Sequence, residues 1–576
     1  MVGGRSGSYS FEEKNFGSSA EDKSIDDDTP KKSDLRGETE IMAAGVDEVD
    51  YAKQVEPEIE RKRRYFSLAI ITFTAFTFNL SFSIILTSAK PYLDQMDPEA
   101  GTQFLGLFIA AQPLAQLFFS PLLGYLGNKF GSIRLLSILS TLILAAGFVL
   151  YACVSALPGQ RRWYLFAARF LVGAAAGSIT LCFSYIASAT TVKERTTAIS
   201  LFSLAGSTAF VLGPVIQLAF APLGVGTDIP MGGDLYLNLF TGPSWLSASM
   251  ALLNALVFLP GVFTEHNVAK KEGDFVATMA AKKRSATAAC PSPAEMAKKI
   301  QRQKRPDKWA LIVCIVIFAS VQFNFIFLES VATLLTIEQL GLSEKSAIVV
   351  VGLAFAGAGV YSGVIFAILG PLSRRLGERI LLIIGIFLLA IGPVLLFPYG
   401  GPPPPIKYLN SSHSITSTIG ADNDTLVQQL TLDYNYGWLS LTSMGPHDIS
   451  GGCPIDVQPW CGYTSAIKPE QLIAGFVLIV TGFPMGAAMT NSIFSKIIGP
   501  YPQGTWMGIL AAGACFARVL CPICVTNIYS AFGPLAAFAF MTGIMVLVLM
   551  LLLIYYRHLV PYRYEDIEEP IPFLIT

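Results

Sequence analysis

An imperfect duplication constrains this chain more than any other feature of its sequence. The segments Gly124–Arg134 and Gly370–Arg379 each contain a glycine, polar or basic residues four and five places on, and another glycine seven places on. Each segment joins two apolar stretches that are long enough to cross a bilayer. A repeated, basic, glycine-rich loop between spanning helices is typical of a transporter built from two similar halves.

The composition also indicates a chain that lies mostly in a membrane. Of its 576 residues, 52% are hydrophobic and only 14% are charged, which is less charge than a soluble domain carries. The formal net charge of -1 argues against a nucleic-acid partner. Residues 1–64 begin with a long polar segment of mixed charge that has no signal peptide, so we expect a disordered cytosolic tail there.

Twelve apolar segments have the length of roughly 20 residues that a spanning helix needs. The predicted fold class is therefore an all-α membrane protein with six plus six helices in two pseudo-symmetric halves. The predicted segments are 66–89, 103–125, 133–155, 162–188, 197–221, 243–264, 309–337, 346–370, 378–398, 469–492, 504–530 and 532–556. The predicted domains are a tail at 1–64, a bundle at 65–264, a connection at 265–308, a bundle at 309–557 and a tail at 558–576.

Basic residues collect in the connections on one side of the predicted membrane domain. The positive-inside rule assigns this side, and with it both termini, to the cytosol. Arg161 and Arg162 lie on the opposite side and are the exceptions. The residues that set the orientation are Arg61, Lys62, Arg63, Arg64, Lys129, Arg134, Lys193, Arg195, the basic cluster between Lys270 and Arg305, Arg374, Arg375, Arg379, Lys496, Arg557 and Arg563.

The connection at 399–468 is the long loop on the non-cytosolic side. It contains glycosylation sequons at Asn410 and Asn423, which that side exposes to the glycosylation machinery. It also contains Cys453 and Cys461, and in an oxidising compartment we expect this pair to form a disulfide. The alternative is a metal site, but no histidines cluster with these cysteines at zinc-site spacing.

Four charged residues fall inside or at the ends of predicted spanning segments, namely Lys90, Arg169, Glu329 and Arg518. A charge at membrane depth costs roughly 2.5–3.5 kcal/mol, so each is a candidate for an ion or solute pathway. Structural alternatives remain open for all four. Arg169 could anchor helix packing, Arg518 could pair with Glu329 or a backbone carbonyl, and Lys90 could extend to the interface. Glu329 is the preferred proton-site candidate.

The duplicated loops have two interpretations that are compatible with each other. The simpler one is that their basic residues only orient the protein in the membrane. The other is that they lock the two halves together on the cytosolic side and release them as a carrier rocks. The candidate gating residues are Gly124, Asn128, Lys129, Gly131, Arg134, Gly370, Arg374, Arg375 and Gly377.

No constellation of catalytic residues is recognisable in the sequence. It contains neither a Gly-x-Ser-x-Gly motif nor a phosphate-binding Walker loop, and its four histidines lie outside the predicted spanning segments. We therefore predict no enzymatic activity, no cofactor and no resident metal.

The duplicated loops and Arg169-x3-Gly173 resemble motifs of the major facilitator superfamily across about residues 65–557. Asn128 stands where the first loop of that family usually has an acidic residue, which weakens a charge-based gate at this position. Further stretches resemble lysosomal members of the same superfamily. These stretches are Lys90–Pro98, Phe104–Gly106, Glu194–Thr197, Cys453 with Trp460-Cys461, Ser495–Pro500 and Pro502–Gly504.

The resemblance implies a glycosylated protein of the endosomal and lysosomal membrane with a role in chloride balance, as a chloride-conducting channel or a carrier of small solutes. Glu329 and Arg518 lie in stretches that resemble the family, which implies a structural or functional role for both. Separately, Tyr564-Glu-Asp-Ile567 fits the tyrosine-based signal that sorting adaptor proteins bind. The expected partners are the lipid bilayer, chloride or a small solute, protons and sorting adaptors.

Three functional hypotheses follow, and the first is preferred narrowly. The first is a chloride-permeable pathway in which Arg169 and Arg518 attract the anion and protonation of Glu329 tunes it. The second is a proton-coupled exporter of a small solute, with Glu329 as the proton carrier. The third is a membrane scaffold without transport activity, which would tolerate replacement of every charge inside the membrane.

Overall fold

The computed structural model of the chain describes a helical membrane domain with two short two-stranded sheets. The described residues are 56–86, 88–98, 101–220, 229–232, 235–275, 307–407, 451–456, 458–499 and 501–561.

Eight helices of the first half are described from end to end, together with one antiparallel sheet. The helices are α1 (Glu58–Leu86), α2 (Ala89–Met96), α3 (Gly101–Phe130), α4 (Arg134–Ala152), α5 (Arg161–Ala176), α6 (Ile179–Ala189), α7 (Val192–Ala219) and α8 (Thr241–Val257). The sheet pairs β1 (Ile229–Gly232) with β2 (Leu235–Leu237).

Five helices of the second half are described from end to end, together with one parallel strand pair. The helices are α9 (Lys308–Leu340), α10 (Glu344–Leu376), α11 (Glu378–Leu395), α12 (Pro469–Ile498) and α13 (Gly504–Ile554). The strands are β3 (Ile406–Lys407) and β4 (Cys453–Pro454).

Ten of the described helical segments are long and apolar enough to cross a membrane, with α5 and α6 counted together as one. The other two predicted segments are also helical. Helix α13 has 51 residues and breaks at Gly533, where φ is 83°, so it contains the predicted eleventh and twelfth segments. Helix α8, at the predicted sixth segment, has only 17 residues. The predicted all-α membrane fold is confirmed.

Local sequence signals set the ends of the long helices. The Asp307 side chain accepts hydrogen bonds from the backbone N–H groups of Trp309 and Ala310, which caps the start of α9. Gly341 ends α9 in the left-handed region, with φ at 67°. Ser343 then caps α10 by accepting from Ser346 N–H at 3.2 Å.

The first helix begins earlier than the sequence predicted. The tail was expected to extend to residue 64, but α1 starts at Glu58. Acidic residues in the first turn favour this start because they face the positive end of the helix dipole. Arg64 is also held inside the structure, 2% exposed, where it lies 2.9 Å from Glu56 and 2.9 Å from Glu194.

Among the described residues the first half has two apolar clusters and the second half has one, and two pairs of helices make the main contacts between the halves. Helix α3 packs on α13, and α7 packs on α10. Within the second half, α11 and α12 pack closely because glycines face each other: a Cβ at Gly482 would lie 2.7 Å from the carbonyl oxygen of Gly385. This arrangement brings the predicted loop residues of both halves to one end of the bundle.

Candidate functional site

Two ends of the membrane domain carry different chemistry. We call the end with the duplicated loops and Lys496 the basic face, and the end with the 399–468 connection the loop face.

The two copies of the duplicated loop end their helices in the same way. Gly131 follows α3 with φ at 65°, and its N–H donates to the Gly127 carbonyl at 3.1 Å. Gly377 follows α10 with φ at 83°, and its N–H donates to the Ser373 carbonyl at 3.0 Å. A residue with a side chain is strained in this conformation, which explains the glycine seven places into each copy.

The first copy meets the other half at the start of α13. A Cβ at Gly124 would collide with the carbonyl oxygen of Gly504. The Asn128 Oδ1 accepts the Gly504 N–H at 2.9 Å, and its Nδ2 donates to Thr505 Oγ1 at 2.9 Å. The neutral Asn128 amide therefore caps the N-terminus of a helix from the opposite half. A carboxylate at the same position would add a negative charge to this contact.

The second copy meets the first half at the start of α7. A Cβ at Gly370 would lie 2.9 Å from Thr197 Oγ1. The Arg374 Nη2 donates to the same hydroxyl at 3.3 Å. Both copies thus combine a close backbone approach with a polar contact across the halves.

A polar cluster that the sequence did not predict lies beside the second copy. The Glu378 Oε1 is 2.7 Å from Lys496 Nζ and accepts the Ser492 hydroxyl at 2.8 Å. The Thr196 hydroxyl, from the first half, also donates to Glu378 Oε1. We call these four residues the Glu378 cluster; its ion pair is only 13% and 11% exposed.

A buried arginine adds a further link between the halves. Arg195, which is 1% exposed, donates to the Ala187 carbonyl at 2.8 Å and to the Ser495 carbonyl at 3.4 Å. Hydrogen bonds between the two halves join described residues of the basic face. The structure is therefore closed at the basic face.

Arg169 lies deep in the first half, on α5. Its Nη1 donates to Gln112 Oε1 at 2.9 Å, and its guanidinium carbon lies 5.3 Å from the centre of the Phe108 ring. The side chain is 1% exposed and its Nε has no hydrogen-bond partner. Within the described parts of the chain, Arg169 has no carboxylate at ion-pair distance. Gly173 packs on the Gln112 backbone, so this region is also a helix contact.

Glu329 on α9 and Arg518 on α13 lie in the same region of the second half. The positive charge of Arg518 acts on the Glu329 carboxyl. The two side chains nevertheless form no ion pair among the described contacts, and the Arg518 Nε is buried without a hydrogen-bond partner. They are neighbours rather than a closed ion pair. Lys90 lies in α2, on the loop-face side of α1.

Cys453 and Cys461 are joined by a disulfide bond in the structure. Both are fully buried, as is Trp460 between them and the membrane helices. No group of histidine, cysteine or acidic residues that could hold a metal ion occurs in the described part of the chain. Four predicted site residues lie outside the described ranges, namely Asn410, Asn423, Tyr564 and Ile567.

Comparison with solved structures finds this fold in known transporters. The human organic anion transporter MFSD10 has a TM-score of 0.53 and 16% identity, covering 85% of this chain and 99% of that one. The proton:xylose symporter XylE, solved with 6-bromo-6-deoxy-D-glucose bound, has a TM-score of 0.56 and 14% identity, covering 88% and 98%.

A relative covers almost the whole chain. Major facilitator superfamily domain-containing protein 8 of Xenopus laevis is 31% identical over 548 residues, which is 94% of this chain and 99% of the relative. The family model of the Major Facilitator Superfamily matches residues 65–422. With its two similar halves joined at the duplicated loops, the chain belongs to the Major Facilitator Superfamily and is a multi-pass membrane transporter of that class.

Proposed function

We propose that this transporter conducts chloride across the endosomal and lysosomal membrane, through a pathway that uses Arg169 and Arg518. The observation that carries the proposal is the environment of Arg169. Among the described residues, its buried guanidinium contacts a neutral amide and an aromatic ring and no carboxylate at ion-pair distance. A buried positive charge without a counter-charge is costly, and a small anion would offset that cost.

Arg518 supplies a second positive charge in the other half. Its Nε lacks a hydrogen-bond partner in the structure, so a donor is available to an anion. Glu329 lies close enough to oppose this charge electrostatically. Protonation of Glu329 would remove the opposing charge, so acidification of the compartment should strengthen the attraction of the pathway for chloride.

Similarity to known proteins also supports the transport of an anion. The chain resembles lysosomal members of its family, and this resemblance implies a role in chloride balance. MFSD10, which shares the fold, is an organic anion transporter, so the same architecture carries anions in at least one other protein.

Residence in the endolysosomal membrane is part of the proposal. The sorting motif at Tyr564 and Ile567 would direct the protein there, and Asn410 and Asn423 would carry glycans on the luminal side. Tyr564→Ala should move the protein to the cell surface, with its glycans intact. If Tyr564→Ala stays in lysosomes, this motif is not the sorting signal.

The test is a patch-clamp recording of enlarged endolysosomes that contain the full-length protein, first in symmetric chloride and then with gluconate replacing chloride. We expect a current whose reversal potential follows the chloride gradient. Arg518→Ala should reduce this current several-fold, and Arg518→Lys should retain more of it because the charge remains.

Lys308→Ala is the matched control, because it also removes one positive charge, but from an exposed position at the start of α9. Lys308→Ala should give a current of about the same size as the unmodified protein. A normal current in Arg518→Ala, with normal folding and abundance, would remove Arg518 from the pathway. Loss of current in Lys308→Ala as well would show that the current depends on the surface charge of the protein in general and not on Arg518.

A proton-coupled carrier of a small solute is the second candidate function. It is favoured by the Glu329 carboxyl within a spanning helix and by a basic face that is held shut by polar contacts. Glu329→Gln should then abolish proton-driven uptake while leaving solute exchange. Replacement of Arg169, Glu329 and Arg518 without any effect on current or uptake would instead support the non-transporting scaffold.

A further inference from the structure

We propose that Glu338 is a proton-binding site at the loop face. Its protonation links the acidity of the compartment on that side to the disulfide-closed cap and to the break in α13. The cap is defined as residues 451–456 and 458–467. This site is distinct from Glu329 and does not depend on which solute the transporter carries.

The Glu338 carboxyl is buried without a positive partner. It lies two residues before the end of α9 and is 2% exposed. Its Oε2 accepts the hydroxyl of Tyr529, from α13, at 2.9 Å. The neutral side chain of Gln458, from the cap, lies close to the carboxyl. Among the described titratable and charged groups on these elements, only the Tyr529 phenol acts on Glu338.

The contrast with Glu329 explains why Glu338 is the better proton site. Arg518 acts on Glu329, and a nearby positive charge favours the ionised carboxylate. Glu338 has the burial without the cation, and burial alone favours the neutral acid. It also lies near the end of its helix, so a proton from the loop-face solution has only the cap to pass.

Four contacts connect the surroundings of this carboxyl to the cap and the helix break. The Tyr529 ring packs edge-on against Trp460, with the ring centres 5.5 Å apart. The Trp460 Nε1 donates to the Ser530 carbonyl at 3.2 Å. The Trp460 ring covers Gly533, where a Cβ would lie 2.9 Å from it. On the α9 side, the Gln339 Oε1 accepts the Ile467 N–H at 3.1 Å.

Proton uptake changes the hydrogen bonding of this assembly in a defined way. One carboxylate oxygen takes a proton from solution, the negative charge under the cap disappears, and that oxygen becomes a donor. The Tyr529 hydroxyl keeps its bond to the other oxygen. Relief of the buried charge should hold the cap more tightly on α9 and α13.

The test is hydrogen exchange of the full-length protein in detergent, measured on cap peptides at pH 7.5 and pH 5.0 and corrected for the intrinsic exchange rate. We expect several-fold stronger protection of the cap at pH 5.0. Glu338→Gln, which mimics the neutral acid, should show strong protection at both pH values. Glu329→Gln is the matched control and should retain the pH response.

Tyr529→Phe provides an independent check if Glu338→Gln folds poorly. It removes a hydrogen bond to the charged carboxylate, so the midpoint of the cap response should move to higher pH. The proposal is overturned if cap protection is the same at both pH values in the unmodified protein. It is also overturned if Glu338→Gln keeps the response or if Tyr529→Phe leaves the midpoint in place.

Discussion

Two buried arginines in the first half differ in what balances their charge. Arg64 lies between Glu56 and Glu194, so its positive charge is fully compensated. Within the described parts of the chain, the Arg169 guanidinium contacts Gln112 and the Phe108 ring and has no carboxylate at ion-pair distance. Removal of one partner from a buried ion pair is destabilising because the other charge is left uncompensated, whereas a buried charge that already lacks a partner itself costs stability. Arg64 is therefore a structural residue, and Arg169 is a candidate for the pathway.

Replacement of each arginine by methionine should separate these roles. Arg64→Met leaves the buried Glu56 without its partner, and we expect a loss of about 2 kcal/mol, reduced from larger values because Glu194 is partly exposed. Arg169→Met removes an unbalanced charge and should cost less than about 1 kcal/mol. Thermal unfolding in detergent measures both, and a larger loss in Arg169→Met than in Arg64→Met would contradict the assignment.

Thr196 is the residue of the first half that enters the Glu378 cluster. Thr196→Val keeps the shape of the side chain but removes its hydroxyl, which should cost the closed state about 1–3 kcal/mol because Glu378 is charged. The basic face should open more often. Cysteine labelling at the basic-face ends of α7 and α12 reports this opening as faster modification.

Thr208→Val is the control for Thr196, because the Thr208 hydroxyl bonds only to the Leu204 carbonyl of its own helix. It should leave the labelling rate unchanged. Equal labelling rates in Thr196→Val and the unmodified protein would exclude the Glu378 cluster from closure of the basic face.

Helix α3 shows how the duplicated glycines act at the scale of an element. Gly124 lies against the backbone of Gly504, whereas a Cβ at Gly106 in the same helix would have no atom within 4 Å. Alanine is better than glycine in a helix interior by about 1 kcal/mol. The two positions should therefore respond to the same substitution in opposite ways.

Gly124→Ala should push α3 away from α13 and destabilise the closed basic face, which speeds cysteine labelling there. Gly106→Ala should leave labelling unchanged and raise thermal stability slightly. The close-contact interpretation fails if Gly124→Ala labels no faster than Gly106→Ala.

The cap is a second element whose contribution can be measured. The disulfide closes a segment with a sequence separation of 8 residues. Loop-closure entropy for a segment of this length predicts a stabilisation of about 2–3 kcal/mol. Replacement of Cys453 and Cys461 together by serine should lower the unfolding temperature, whereas Cys524→Ser, at a free cysteine, should not. An unchanged unfolding temperature would mean that the cap is held by Trp460 and its other contacts alone.

At the scale of the whole molecule, the sequence predicts the helices well because a spanning segment is a local property of length and apolarity. It also predicts the duplicated loops, since glycine spacing is local. It did not predict the contact between Glu378 and Thr196 or the contact between Glu338 and Tyr529. The two residues of these contacts are 182 and 191 positions apart in the chain. Such contacts depend on how helices rotate and pack, which leaves no periodic signal in the chain.

The closed basic face and the buried charge of Arg169 are parts of one mechanism. Polar contacts hold the halves together at one end, while the positive charge of Arg169 lies within the membrane helices with no carboxylate at ion-pair distance among the described residues. A transporter with this arrangement should attract anions to its interior. This proposal depends on chloride movement through the purified protein in the absence of other proteins.

The most direct measurement is chloride flux into vesicles reconstituted with the purified full-length protein, with gluconate in place of chloride as the reference. The account predicts a chloride flux well above that of protein-free vesicles, with a several-fold reduction in Arg169→Met and Arg518→Ala. A flux no greater than that of protein-free vesicles, from correctly folded protein, would contradict the chloride pathway and favour the coupled carrier.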